Sequence, residues 1–207
     1  MKFIYSLIFA LVITSQVFAG GVLFMAGGVE SGGGTQISDD FSTDTSGDYT
    51  AILGTITVSG GQALGQSNAI SVLYHDTTLD SPDHYSEALC TVSNNSDSSG
   101  VVTRCDGTDY YSTYFSDGSK VQLTRSGTVI NTYFGSSGDF SAGTYTVKMT
   151  VTGTGATVNI LIDVDDVNVM DYDDTSGSRL TSGARVGFTF RRAGENGACY
   201  IDDFEAD

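Results

Sequence analysis

From residue 37 onward, apolar and polar positions alternate in short segments that repeat every two residues. Between positions 144 and 152, the apolar Tyr145, Val147, Met149 and Val151 alternate with threonines and a lysine. This spacing puts one set of side chains on each face of a β-strand. Similar segments continue to the end of the chain, separated by Gly-, Ser- and Asp-rich turns and with no helical period. The pattern predicts about a dozen strands and an all-β fold of two antiparallel sheets packed as a sandwich.

The tripeptide Asp-Asp-Phe occurs at 39–41 and again in the last segment at 202–204. In a regular strand, Asp39 would share a face with Phe41, and Asp202 with Phe204. A carboxylate on the apolar face costs free energy unless it is hydrated, paired or bound to a metal. We therefore predict that the first and last strands are neighbours and that Ca²⁺ joins their carboxylates. The alternative is two solvated strand ends.

Composition narrows the class of protein. The 207 residues include 26 Gly, one Pro and no Trp, and 25 acidic against 9 basic side chains give a formal charge of −16. The length suits one domain. So acidic a chain is not expected to bind nucleic acid or anionic lipid, both of which need basic surface.

Residues 1–19 have the features of a secretory signal peptide. Lys2 precedes an apolar run at 3–14 that is short for a membrane span, and Val17-Phe18-Ala19 supplies small residues for cleavage before Gly20. An uncleaved anchor is the alternative. Residues 20–37 form a Gly-rich leader that we predict to be flexible, and residues 38–207 the folded domain. We expect a secreted product, extracellular or periplasmic, with no membrane span after cleavage.

The three cysteines are Cys90, Cys105 and Cys199. Cys90 and Cys105 end successive strand-like segments with a turn-rich stretch between them, so a hairpin would bring them opposite each other. Export would permit a disulfide there. The prediction is a Cys90–Cys105 bridge with Cys199 as a buried apolar residue, and the alternative is three free thiols.

The order of these features resembles a known superfamily. The opening Asp-Asp-Phe is followed by a Gly-Thr-Ile-Thr-Val-Ser-Gly-Gly stretch at 54–61, a strand pair at 85–92 and 100–104, a strand at 143–149, and a final pair at 184–188 and 200–205. This pattern is similar to the concanavalin A-like lectin/glucanase superfamily in its laminin G-like branch, over about residues 38–207. The resemblance implies a two-sheet antiparallel jelly-roll β-sandwich.

The resemblance also implies a structural calcium ion near the chain ends. One ligand would be Asp202, with Asp39 or Asp40 nearby and backbone carbonyls completing the shell. A second acidic stretch, 163–174, is dense in oxygen ligands but lacks the glycine and closing glutamate of an EF-hand loop, and a solvated turn is the simpler interpretation. The pairs His75-Asp76 and Asp83-His84 bracket a loop containing Asp80, but their spacing matches no known metal site.

No catalytic motif is recognisable. Glucanases of this superfamily carry Glu-x-Asp-x-x-Glu on one strand, and that pattern is missing from the sequence, as are lyase motifs and a nucleophile elbow. The segment 110–115 instead carries aromatic residues on both faces. Tyr110 and Tyr114, with Tyr133 and Arg191 across the sheet, are the candidate ligand-binding residues.

The sequence therefore predicts a secreted, non-catalytic jelly-roll module that binds a glycan or an extracellular surface, with a structural calcium ion. A structural or adhesive protein without a small ligand is the first alternative, and a glycan-active enzyme is the second. Neither the ligand nor the oligomeric state follows from the sequence.

Overall fold

The two-residue repeats fold into strands at nearly every predicted position. The computed structural model describes residues 34–65, 69–92, 97–116, 120–135, 140, 142–191 and 199–207. The predicted signal peptide at 1–19 and most of the leader lie outside these residues. Within them, no helix is long and apolar enough to cross a membrane. The described residues belong to one compact unit, Gly33–Asp207.

The described part of the chain contains fifteen strands and one short 3₁₀ helix at Ser46–Asp48. In chain order, the strands are β1 (Ile37–Asp39), β2 (Tyr49–Leu53), β3 (Ile56–Val58), β4 (Ala63–Gly65), β5 (Ile70–His75), β6 (His84–Val92), β7 (Ser98–Cys105), β8 (Tyr111–Ser116), β9 (Lys120–Arg125), β10 (Thr128–Phe134), β11 (Gly143–Thr152), β12 (Val158–Val164), β13 (Val167–Asp174), β14 (Arg185–Arg191) and β15 (Tyr200–Ala206).

The strands form two antiparallel sheets. Sheet A has the order β13-β12-β11-β6-β15-β4-β3, with β1 paired to β15, and sheet B has the order β10-β9-β8-β7-β14-β5-β2. The predicted all-β jelly-roll sandwich is confirmed. Antiparallel pairing of β1 with β15, with Asp39 opposite Phe204, confirms that the first and last strands are neighbours.

The core lies between the sheets and is built from the inward side chains of both. The predicted alternation of β11 is seen directly, because Val147, Met149 and Val151 are all fully buried. Aromatic rings fill the end of the core near β1. Phe188 is central there, with its ring centroid 4.8 Å from that of Tyr49 and 5.7 Å from that of Phe204.

The predicted hairpin between β6 and β7 does not form. Both strands occur where the sequence placed them, but β6 pairs with β11 and β15 in sheet A, whereas β7 pairs with β8 and β14 in sheet B. Cys90 and Cys105 therefore lie in different sheets, and all three cysteines are free. The predicted Cys90–Cys105 disulfide is wrong, because the chain crosses between the sheets instead of turning within one.

The predicted common face of Asp202 and Phe204 is also wrong. The pairing of β15 with β6 shifts by one residue between Asp202 and Glu205, and Asp203 has a positive φ of 45°. This bulge lets Ile201 and Phe204 both point into the core and leaves Asp202 half-buried. Asp39 and Phe41 are both buried as predicted, but not through strand alternation, because β1 ends at Asp39 and Phe41 has a positive φ of 49°.

Candidate functional site

The outer face of sheet B carries the predicted aromatic residues. Along β14, Val186, Phe188 and Phe190 point into the core, so the alternate residues of the strand face outward. Among them, Arg191 pairs with Ile70 of β5, and Thr189 with Val72. Val72 joins Val102, Cys105 and Tyr110 in a second apolar cluster, separate from the main core. The outer face of sheet B thus has an apolar floor of its own.

A groove lies in this face, with a volume of about 110 Å³. We call it the outer groove. It is lined by side chains from six strands and two connecting segments, namely Leu53, Ile70, Tyr110, Tyr114, Gln122, Thr124, Gly127, Val129 and Arg191. Three of the four predicted ligand-binding residues, Tyr110, Tyr114 and Arg191, therefore line the same groove.

Burial and local contacts hold the two tyrosines in place. Tyr110 is 3% exposed and immediately precedes β8, and desolvation raises the pKa of its hydroxyl to about 12. Tyr114 is half-buried beside Thr189 and Arg191, and burial raises its pKa also. Both hydroxyls are therefore neutral hydrogen-bonding groups at neutral pH. The half-buried Tyr114 ring presents apolar surface next to Arg191, whereas the Tyr110 ring is almost wholly buried and forms part of the apolar floor.

Apolar side chains remain exposed at the rim of the outer groove. Leu53, Ile70 and Val129 are 49%, 45% and 48% exposed, and they are three of the five large exposed apolar side chains in the described residues. Clustering of this kind on a monomer marks an interaction surface more often than isolated exposed residues do. None of these three residues was predicted from the sequence. They occupy outward positions of strands, where alternation predicts polar side chains. Apolar residues at such positions were the signal in the sequence that could have revealed this surface.

Tyr133 does not reach the outer groove. It pairs with Val121 of β9, whose side chain is in the core, and its ring centroid lies 6.3 Å from that of Phe140. The ring packs at the inner face of sheet B with the main core. The structure therefore separates Tyr133 from Tyr110, Tyr114 and Arg191.

The charge of the outer groove differs from that of the whole chain. Arg191 is its one charged lining residue among those described, and no carboxylate contributes to that lining. Ion pairs elsewhere bind Arg104 to Asp83, Arg125 to Asp174 and Lys148 to Glu87. The described lining thus offers stacking, hydrogen bonding and one cation, without the paired carboxylates that glycoside hydrolysis requires.

Asp39, one of the predicted calcium ligands, is occupied by hydrogen bonds. Its Oδ1 accepts from the backbone N–H of Phe41 at 2.8 Å, and its Oδ2 accepts from the hydroxyls of Thr45 at 2.7 Å and Tyr49 at 3.0 Å. These donors satisfy a buried carboxylate without a metal. The structure favours a role for Asp39 in holding the 3₁₀ turn to β1.

Asp40 and Asp202 lie close enough for their charges to interact. The pKa of Asp202 is raised, first by burial and then by repulsion from Asp203 and Asp40. Both carboxylates have free oxygen lone pairs, since Asp40 accepts one bond from the Ser42 N–H and Asp202 one from the Asp203 N–H. Two hard oxygen donors that repel each other are compatible with a cation. In the described residues, however, no group of three or more His, Cys, Asp or Glu side chains is arranged to hold a metal.

The other acidic and histidine-containing stretches have local roles. Asn159 donates to Asp171 at 2.8 Å and to Asp173 at 3.0 Å along the β12–β13 edge of sheet A. His84 is buried, with Nδ1 3.0 Å from the Ser81 carbonyl and Nε2 accepting from the Arg104 N–H at 3.1 Å. Backbone groups therefore occupy both ring nitrogens of His84, which leaves none for a metal.

Known structures share this fold at low sequence identity. A carbohydrate-binding module, CBM66 from Bacillus subtilis, is 18% identical with a TM-score of 0.61, covering 77% of this chain and 96% of that one. A lectin, I-B4 from Griffonia simplicifolia in its metal-free form, is 10% identical with a TM-score of 0.54, covering 84% and 98%. A prokaryotic β-1,3-1,4-glucanase (lichenase) from a mouse hindgut metagenome is 13% identical with a TM-score of 0.58, covering 83% and 98%.

These similarities show which fold the chain has. The chain has the concanavalin A-like jelly-roll fold that lectins, carbohydrate-binding modules and glucanases share. No protein-family model matches the sequence, and no curated protein matches it. The laminin G-like branch therefore stays a prediction from the sequence.

Proposed function

We propose that this protein is a non-catalytic carbohydrate-binding module that holds a glycan in the outer groove. One observation carries the proposal: Tyr110, Tyr114, Arg191 and a rim of exposed apolar side chains converge on an open sheet face. Sugar rings have apolar faces that stack on aromatic side chains and hydroxyl groups that bond to polar ones. Fold neighbours named as a carbohydrate-binding module and a lectin support the same function.

The described lining also supports binding over catalysis. A glucanase is among the fold neighbours, so the fold is compatible with hydrolysis. Hydrolysis uses two carboxyl groups about 5–9 Å apart across the scissile bond. No carboxylate contributes to the described lining of the outer groove, and its neutral tyrosines and arginine cannot replace such a pair.

Replacement of Tyr114 tests this function. Affinity electrophoresis against a panel of plant, fungal and bacterial polysaccharides would find a ligand, and calorimetry would measure its Kd. Tyr114→Ala should weaken binding about fivefold, because one stacked aromatic contact contributes on the order of 1 kcal/mol. Tyr85→Ala is the matched control, since Tyr85 is a half-buried tyrosine whose ring stacks with Lys148 on sheet A. Equal effects of the two variants, or no binding to any polysaccharide, would contradict the proposal.

We also propose that calcium stabilises the chain ends through Asp40 and Asp202, with backbone carbonyls completing the shell. Burial and, to a smaller extent, repulsion from Asp203 and Asp40 raise the pKa of Asp202, and a cation would stabilise its charged form against both effects. Asp39 is not included, since three donors already bind its carboxylate. Export by the predicted signal peptide would bring the protein into a compartment where glycans are accessible.

A further inference from the structure

Strand β14 runs from Arg191 in the outer groove along the outer face of sheet B to Arg185, which lies outside the groove lining. Because Val186, Phe188 and Phe190 point inward, the outward row of β14 is Arg185, Gly187, Thr189 and Arg191. Arg185 pairs with Cys105 of the outer apolar cluster, and its guanidinium carbon lies 5.0 Å from the ring centroid of Tyr74. At about 3.3 Å per residue, the two arginines are roughly 20 Å apart along the strand. Only small residues separate them.

Neither arginine of this row is paired with a carboxylate. Among the described residues, no Asp or Glu oxygen lies within 4 Å of Arg185 or Arg191, although three other basic side chains are paired in this way. In addition, the Nε of Arg185 is buried and has no hydrogen-bond partner in the described part of the chain. The Arg185 side chain as a whole is half-buried, so a ligand would contact the terminal nitrogens of its guanidinium group rather than the enclosed Nε.

The acidic side chains near this row accept hydrogen bonds from neighbouring loop residues. Asp106 accepts from the N–H groups of Thr108 and Asp109, both at 2.9 Å. Asp109 accepts from the Ser126 hydroxyl at 2.7 Å. Asp106 still attracts the Arg185 guanidinium, but no carboxylate of the described residues comes within 4 Å of either arginine.

We infer that the outer groove binds an acidic glycan chain, and that Arg191 and Arg185 contact carboxylate or sulfate groups of that glycan at the two ends of the β14 row. This inference rests on the proposed carbohydrate-binding function and names its ligand class. Guanidinium groups suit these anions because they donate two parallel hydrogen bonds to a carboxylate or sulfate. The chain as a whole has a formal charge of −16 and repels the same anions, which favours their binding at the two arginines over other parts of the surface.

Matched ligands test the inference on the complete protein. An oligogalacturonide is compared with its carboxyl-reduced form, which keeps the linkage and removes the charge. A heparan sulfate oligosaccharide is compared with its desulfated form, so the two pairs distinguish carboxylate from sulfate recognition. We expect at least one of the more acidic forms to bind about tenfold more tightly than its less charged counterpart, because hydrogen bonds from guanidinium groups to anions are charge-assisted.

Variants assign that preference to the two arginines. Arg191→Gln and Arg185→Gln should each remove most of this preference, so that the affinity for the acidic form falls more than the affinity for its counterpart. Arg179→Gln is the control, because the guanidinium of Arg179 binds the backbone carbonyls of Gly155 and Ser176 away from β14. Equal affinity for the two members of each ligand pair would overturn the inference, but it would leave the carbohydrate-binding function standing. No binding of any glycan would overturn the proposed function itself.

Discussion

At the scale of single residues, the chain stabilises buried polar groups by giving each several partners. Asp174 is fully buried and accepts from Tyr111, Arg125 and Ser176. Asp39 is similarly surrounded at the start of β1. A sequence shows that such a carboxylate lies on the apolar side of a strand, but not which donors reach it. For that reason the predicted metal ligand Asp39 turned out to be the centre of a hydrogen-bond network.

Removal of the Asp39 carboxylate should destabilise the fold strongly. Asp39→Ala leaves the Phe41 N–H and the Thr45 and Tyr49 hydroxyls without their acceptor, and we expect the free energy of unfolding to fall by about 2–4 kcal/mol. Urea denaturation with a chelator present measures this loss without any metal contribution. Asp40→Ala, at an exposed position, should cost less than about 1 kcal/mol. Similar losses from both variants would show that the network contributes little.

His84 should make stability depend on pH. Burial lowers the pKa of its ring below the ordinary value of 6.5, and the nearby Arg104 acts in the same direction. The unfolded chain therefore binds a proton first as the pH falls. His84 should have no effect on the free energy of unfolding above about pH 6.5, and should lower it by up to roughly 1.4 kcal/mol per pH unit below that, down to the folded-state pKa.

Proton NMR checks the lowered pKa of His84 directly. The chain has two histidines, so a His75→Gln variant leaves the His84 ring as its one imidazole signal. A titration midpoint at or above 6.5 for His84 would contradict the predicted neutral ring. Denaturation of the same variant at several pH values should then show stability decreasing as the pH is lowered from 6.5.

At the scale of elements, strands were predictable and their partners were less so. Alternation and turn residues located β6 and β11 within a residue of their observed bounds, because these signals are local. A Gly- and Ser-rich stretch does not reveal whether the chain turns within a sheet or crosses to the other one. The false hairpin between β6 and β7, and with it the disulfide, follows from that ambiguity. The short β4 was missed because three residues show no period.

The bulge in β15 can be tested at Asp203, which is exposed and has a φ of 45°. Asp203→Gly should leave the free energy of unfolding nearly unchanged, because glycine adopts this conformation freely. Asp203→Val should lower it by about 1–2 kcal/mol, because a β-branched residue is strained there. Equal stability of the two variants in thermal and urea denaturation would mean that β15 lacks the bulge, and Asp202 would then face the core as the sequence alone suggested.

At the scale of the whole molecule, an excess of 16 negative charges complicates any test for calcium. Every salt reduces the general repulsion, so a rise in Tm on adding calcium is not sufficient. A site at Asp40 and Asp202 predicts that calcium raises the Tm by several degrees more than magnesium at the same concentration, because Mg²⁺ demands stricter geometry and loses its water reluctantly. Asp202→Asn should remove this difference, whereas Asp171→Asn, at the far edge of sheet A, should keep it. Equal responses to the two cations, or a calcium response that survives Asp202→Asn, would show that the ions act only by screening.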